Sequence, residues 1–245
     1  MKGKLFRQLA IDYCCSYDDI IDHKNHFTEF VKQEGRRRFD ESEDSALKII
    51  AVNGKLVFTG EKQFLDACQE KFENALGNWF MDVDNFRQLE KILSQGGYKL
   101  KTAHPFFIPK NANMLSAEGY EIRKYKQKEI LQFKGDDRFD EAFCFDEATP
   151  DMLAVAAVMD GEIVGMAGAS ADSPLLWQIG INVSQKAEGR HIGSTLVSIL
   201  KHDIMEMGIT PYYGTSFSNL ASQKVAANAG FEVMWVELLS EKDNP

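Results

Sequence analysis

Residues 177–193 read WQIGINVSQKAEGRHIG, and they concentrate the features that could hold an anion. An extended apolar run passes into a polar loop of small and flexible residues, and the loop opens a long helical pattern. Backbone amides at a helix N-terminus have no intrahelical acceptor and lie at the positive end of the dipole. A phosphate or pyrophosphate can bind there without a dedicated side chain. Gly189 and Gly193 allow close backbone approach, and Arg190 or His191 could add charge. The same residues also suit a plain strand–loop–helix connection with two incidental glycines. Two sharper signatures are absent from the sequence: there is no G-K-[ST] as in a P-loop, and no G-x-G-x-x-G dinucleotide fingerprint.

Other reactive residue types form no comparable pattern. Cys14 and Cys15 are adjacent, Cys68 and Cys144 stand alone, and no C-x-x-C occurs, so neither a disulfide framework nor a thiol triad can be read. The five histidines have no zinc spacing, and no metal is expected. The basic run Gly35-Arg36-Arg37-Arg38 is short and surrounded by acid, which favours a solvated or ion-paired face over a nucleic-acid patch.

The elements that must position the anion loop can be read from periodicity. The chain has 245 residues, 44% hydrophobic and 27% charged, ordinary values for a folded protein of one large domain or two small ones. Lys and Arg number 28 against 37 Asp and Glu, a net charge of −9, which argues against an electrostatic nucleic-acid binder. Asp12 ends the N-terminal apolar stretch too early for a signal-peptide core. The most apolar segment, 152–159, is far short of a membrane span. A cytoplasmic protein with no membrane partner is expected.

Asn53-Gly54 between two apolar runs predicts a hairpin, and so does Asp160-Gly161. Phe64, Leu65, Cys68 and Phe72 share one helical face, and Phe86, Leu89, Ile92 and Leu93 another. Turn formers cluster at 105–118, which places a smaller α+β domain at 1–112 and a second domain at 113–245. The second reads β, α, β-β-β, α, β, α, β, ending in strand 231–239. A mixed α/β (α+β) sheet flanked by helices accounts for that order.

The second half resembles the GNAT N-acetyltransferases. That family marks its acetyl-CoA loop with Q/R-x-x-G-x-G/A, and residues Glu188-Gly189-Arg190-His191-Ile192-Gly193 occupy the window. The strand Ile179-Gly180-Ile181-Asn182-Val183 matches the one whose backbone the family pairs with pantetheine. Asn219 through Gly230-Phe231 has the spacing of the second signature, N-x₁₀-G-F. The resemblance covers residues 119–240 and implies a largely antiparallel mixed sheet. It also implies pyrophosphate on the amides of Glu188, Gly189, Arg190, His191, Ile192, Gly193 and Ser194. Pantetheine would lie along Ile181, Asn182 and Val183, with Asn219 and Ser222 near the thiol end.

The sequence departs from the family at instructive positions. Glu188 replaces Gln/Arg and His191 the first motif glycine, so a different backbone path is expected in the loop. The family's general-acid tyrosine, seven residues after the signature asparagine, is Ala226; the base glutamate that some members carry falls at Trp177. Tyr213, on the strand expected to splay from the pantetheine strand, is the candidate acid, with Ser216 or Ser218 as weaker ones. Core packing with a polar handle is the plainer reading of a tyrosine there. Asp146, Glu147 and Asp172 could bind or deprotonate an amine, or be ordinary solvated loop charges.

The resemblance implies an acetyl-CoA-dependent N-acetyltransferase acting on a primary amine of a small molecule. The alternative is a GNAT fold that binds acyl-CoA without transfer, as a sensor or interaction module. More loosely, Asp12–Ser16, Gly35-Arg36-Arg37 and Trp79-Phe80 ahead of such a half resemble the group around zwittermicin A resistance acetyltransferases. That arrangement implies an N-terminal half that covers the acceptor slot, or else a scaffold or homodimer surface.

Overall fold

The computed structural model describes residues 1–37 and 46–243; Arg38 of the basic run lies outside the described residues. The chain divides into two units, Met1–Phe106 with Met234–Pro245, and Phe107–Val233. The last twelve residues therefore group with the first unit, not with the 113–245 portion in which the sequence reading placed them. The physical reason is pairing: the end of the last strand hydrogen-bonds into the first unit's sheet.

The first unit carries α1 (Lys2–Asp12), α2 (Tyr17–Ile21), β1 (His26–Glu29), β2 (Leu47–Val52), β3 (Lys55–Gly60), α3 (Lys62–Phe72), α4 (Val83–Ser94) and most of β4 (Tyr98–Pro109). The end of β10 (Phe231–Lys242) completes it, in the strand order β1-β3-β2-β10-β4. At the β2–β3 turn, Asn53 (φ 52°) and Gly54 (φ 80°) both take the left-handed conformation a tight two-residue hairpin needs. Phe64, Leu65, Cys68 and Phe72 of α3 are all buried, as their spacing predicts. On α4, Leu89 and Leu93 are buried, and Phe86 and Ile92 pack partly buried against the same core.

Arg36 and Arg37 are buried, not solvated. The Arg37 guanidinium donates to Asp12 Oδ2 at 2.5 Å and to Glu237, and its own amide donates to Asp12 Oδ1 at 2.9 Å. Arg36 donates to the Asp12 carbonyl, and Trp235 Nε1–H to Glu237 Oε1 at 2.8 Å. The ion-paired alternative of the sequence reading is thus the one that holds for Arg37.

The second unit contains β5 (Glu121–Lys126), α5 (Gln127–Ile130), β6 (Asp151–Met159), β7 (Glu162–Ser170), β8 (Leu176–Val183), α6 (Ile192–Glu206), β9 (Thr210–Gly214) and α7 (Leu220–Asn228). Strand order is β9-β8-β7-β6-β5, antiparallel except for the parallel β8–β9 pair. Asp160 (φ 50°) and Gly161 (φ 83°) close the β6–β7 hairpin. The result is a mixed, mostly antiparallel sheet flanked by helices, the class the sequence order predicts. Helix α6 packs on β6, β7 and β8, with Leu196, Leu200 and Ile204 fully buried. Each such side chain contributes about 1.5–3 kcal/mol by burial, which fixes where the helix begins and ends on the sheet.

Candidate functional site

Strands β8 and β9 are in register from Leu176↔Thr210 to Ile179↔Tyr213, and the pairing stops there. Residues 180–183 of β8 continue to pair with β7 on the other side, through Gly180↔Gly168 to Val183↔Gly165. One edge of Gly180, Ile181, Asn182 and Val183 is therefore open among the described residues. Parallel strands diverge in this way when the chain beyond one of them turns off, here at Gly214 and the loop 215–219.

Helix α6 starts at the same end of β8. Its N-cap is His191, with no side-chain cap, and its first backbone bond is Thr195 N–H to the His191 carbonyl at 3.0 Å. The amides of Ile192, Gly193 and Ser194 precede that ladder. His191 adopts φ 59° and ψ 11°, the left-handed conformation that glycine takes at least cost. The position thus holds a conformation that favours glycine although its residue is histidine.

The two loop glycines have different roles. Gly189 (φ 76°) has open space where a Cβ would be, so it serves the turn and leaves room above it. A Cβ at Gly193 would lie 3.3 Å from Val183 Cγ2 and 3.3 Å from Val225 Cγ2. Its bareness lets α6 begin against β8 and α7, so close approach there is to the protein's own side chains. Glu188 and Arg190 are exposed, the Arg190 guanidinium lying 3.7 Å from the Met159 sulfur.

Tyr213, Ser222 and Asn219 come together. Asn219 caps α7, its Oδ1 accepting the Ser222 amide at 3.0 Å, and the Ser222 hydroxyl lies 2.7 Å from the Tyr213 hydroxyl. Tyr213 is buried beside Phe107 and Phe231. Burial pushes its pKa above the ordinary 10.0, and the charge of Glu141 pushes the same way, against the bond to Ser222. The hydroxyl stays protonated at neutral pH, so it can donate a proton and cannot serve as a base.

Other candidates are distributed elsewhere. Asp172 is buried and accepts from the Tyr212 hydroxyl and from Ser170 Oγ at 2.8 Å, which commits it to structure. Asp146 closes a turn onto the Ala148 amide, Glu147 is exposed, and Ser216 and Ser218 lie 3.3 Å from each other. Trp177 and Ala226, at the positions of the family's base and acid, are buried core residues. The Asn182 side chain accepts the amides of Glu141 (3.1 Å) and Ala142 (2.8 Å) and donates to Asp140 Oδ1 at 2.9 Å, which leaves its backbone on the open edge of β8. In the first unit Asp19, Asp22 and His26 bring ligand-type atoms within 4.8 Å of one another, and the buried Lys55 ammonium already lies 2.6 Å from Asp22 Oδ1.

An open strand edge can pair with an extended, amide-bearing chain, and an uncapped helix start can accept phosphate oxygens. Residues 120–231 match the model of the acetyltransferase (GNAT) family, and the fold of this stretch is that of a GNAT domain. Among solved structures, a GCN5-related N-acetyltransferase-like protein from Streptococcus suis 89/1591 is similar over 98% of this chain and 99% of its own. The identity is 12% and the TM-score 0.50. A GCN5-related N-acetyltransferase from Kribbella flavida is similar over 63% of each chain, at 15% identity and TM-score 0.48. No curated protein matches. Among the described residues no helix is long and apolar enough to cross a membrane.

Proposed function

We propose that the protein is an acetyl-CoA-dependent N-acetyltransferase that modifies a primary amine of a small molecule. The observation that carries this reading is the coincidence, at one end of β8, of an unpaired strand edge, the uncapped start of α6 and the buried Tyr213 hydroxyl. The residues fit the co-substrate. Free amides of Ile192, Gly193 and Ser194 would take the pyrophosphate, with room above Gly189. The backbone of Ile181, Asn182 and Val183 would pair with pantetheine amides as a strand edge does.

Bound acetyl-CoA would supply an acyl thioester whose carbonyl accepts the amine's lone pair as the carbon–sulfur bond breaks. Tyr213 Oη holds a proton 2.7 Å from Ser222 Oγ and would give it to the departing sulfur. Placement of the reactants supplies much of the remaining barrier reduction. Kinship to the zwittermicin A resistance group belongs to this proposal and rests on the residue arrangement of the first half.

The second reading, a binding module without turnover, is favoured by one feature: core residues Trp177 and Ala226 fill the family's base and acid positions. Calorimetric titration with acetyl-CoA, with CoA in parallel, tests what both readings share. Saturable binding should weaken roughly tenfold (~1.4 kcal/mol) in His191→Glu, which puts a negative charge at the helix start. Unaltered affinity would remove the loop from the site. Release of CoA thiol when primary amines are added then separates the enzyme from the binding module.

A further inference from the structure

We propose that Glu141 is the carboxylate that takes the acceptor amine's proton, from the face of the sheet opposite Tyr213. This rests on the transferase reading and adds the residue that the usual glutamate position lacks. Gly168 and Gly180 are paired across β7 and β8, and together they leave a bare patch on one face. A Cβ on Gly180 would fall 1.8 Å from the Glu141 carbonyl oxygen, and one on Gly168 2.0 Å from that of Ala142. The segment 140–142 therefore lies directly on the strands.

Asn182 fixes it there. Its side chain accepts both the Glu141 and Ala142 amides and donates to Asp140, so the Asp140 carboxylate is engaged and that of Glu141 is not. The Glu141 carboxylate is exposed and has no hydrogen bond or ion pair among the described residues. Alternation along β8 puts Gly180 and Asn182 on this face, whereas Ile179, Ile181 and Val183 join the core beneath α6. Tyr213 belongs to that core. The opening between β8 and β9 is thus flanked by a hydroxyl on one side and a carboxylate on the other, and the charge of Glu141 acts on that hydroxyl.

The chemistry balances. The ammonium form of the acceptor gives one proton to a Glu141 carboxylate oxygen, and the freed lone pair forms the new carbon–nitrogen bond. The carbon–sulfur bond breaks with its electron pair going to sulfur, and sulfur takes the Tyr213 Oη proton. The second nitrogen proton leaves to solvent, Glu141 gives up its proton there as well, and the tyrosine is reprotonated from solvent, for a net release of one proton.

One test needs no acceptor and no cofactor. In protein labelled with ¹³C-tyrosine, with Tyr213 assigned through Tyr213→Phe, the Tyr213 titration midpoint should fall in Glu141→Gln and stay near wild type in Glu141→Asp. An unchanged midpoint in Glu141→Gln overturns the proposal. The second test uses acetyl-CoA with spermidine, ethanolamine and Nα-acetyl-lysine as amine probes. Glu141→Gln should bind acetyl-CoA within twofold of wild type and release thiol at least about 100-fold more slowly, with partial recovery in Glu141→Asp. Equal rates in Glu141→Gln and wild type overturn the assignment and leave the transferase intact. Wild-type protein that binds acetyl-CoA but releases no thiol with any probe is the binding module, and Glu141 then has no proton to take. Absence of wild-type binding sinks the proposed function itself.

Discussion

The start of α2 and the start of α6 treat the same backbone problem in opposite ways. At α2, Ser16 Oγ accepts the Asp19 amide at 3.1 Å and the Asp19 carboxylate accepts the Ser16 amide at 2.8 Å. At α6 no side chain does this, although the helix is fifteen residues long and its flanks are deeply buried. The contrast extends to charge. The first unit places Arg37 between Asp12 and Glu237 away from water, whereas in the second Glu141 is exposed with no hydrogen bond or ion pair among the described residues. Buried polar groups in folded proteins are nearly always satisfied, so a helix start left open beside an unpaired strand edge is where the proposed ligand would complete the structure. Helices α1, α3 and α4 of the first unit also begin without a side-chain cap, so what sets α6 apart is the unpaired edge of β8 beside its start.

Breaking the closed side of this comparison should have the largest effect. Arg37→Leu removes the guanidinium between Asp12 and Glu237, both nearly inaccessible, and leaves two carboxylates in an apolar setting. Loss of one partner from a buried pair costs about 3–5 kcal/mol. Denaturant unfolding followed by tryptophan fluorescence, with Trp235 stacked beneath Arg37, reads it directly. A loss under about 1 kcal/mol would mean the network contributes little to folding.

The second unit also has a closed terminus, which sharpens the contrast with the open one. Lys201, fully buried in α6, donates from Nζ to the Ala229 carbonyl at the end of α7 (2.7 Å) and to the Asn113 carbonyl (2.8 Å). Lys201→Met should cost about 1–3 kcal/mol at neutral pH, because the buried Ala229 carbonyl and the Asn113 carbonyl lose their donor. Desolvation holds the Lys201 pKa below its ordinary 10.5. The unfolded chain then binds the proton more tightly than the folded one, so wild-type stability should gain a rising component as pH climbs from the folded pKa toward 10.5. Comparison of urea midpoints between pH 8 and 10.5 should show that component in wild type and not in Lys201→Met.

How much of this was legible follows from distance along the chain. Asn53-Gly54 and Asp160-Gly161 announced their hairpins because a tight turn is a two-residue property, and both pairs take the required left-handed angles. The pattern of α6 and the spacing from Asn219 to Gly230-Phe231 were equally local. Helix α1 drew no assignment, since Asp12 looks polar and terminal until Arg37, twenty-five residues on, is seen to bury it. The Asn182 contact with residues 140–142 spans forty residues and has no periodicity to betray it. Gly168 and Gly180 did offer a signal: a glycine inside a strand pattern marks close backbone approach. What the sequence could not supply was the identity of the segment that approaches.

The smallest expected effect falls on the open helix start itself. His191 is held at φ 59°, a conformation that costs a residue with a side chain about 1–2 kcal/mol and glycine almost nothing. No side-chain hydrogen bond at the N-cap offsets that cost. His191→Gly should therefore stabilise the protein by about 1 kcal/mol, after the greater freedom of glycine in the unfolded chain is subtracted. That corresponds to a rise in Tm of roughly 2–4 °C for a chain of this size. If the anion is held by the amides of Ile192, Gly193 and Ser194, acetyl-CoA affinity should stay within about twofold, since the substitution leaves those donors where they are. A tenfold loss of affinity together with the gain in stability would show that the imidazole grips the phosphates. The strain at residue 191 would then be what holds it in place to do so.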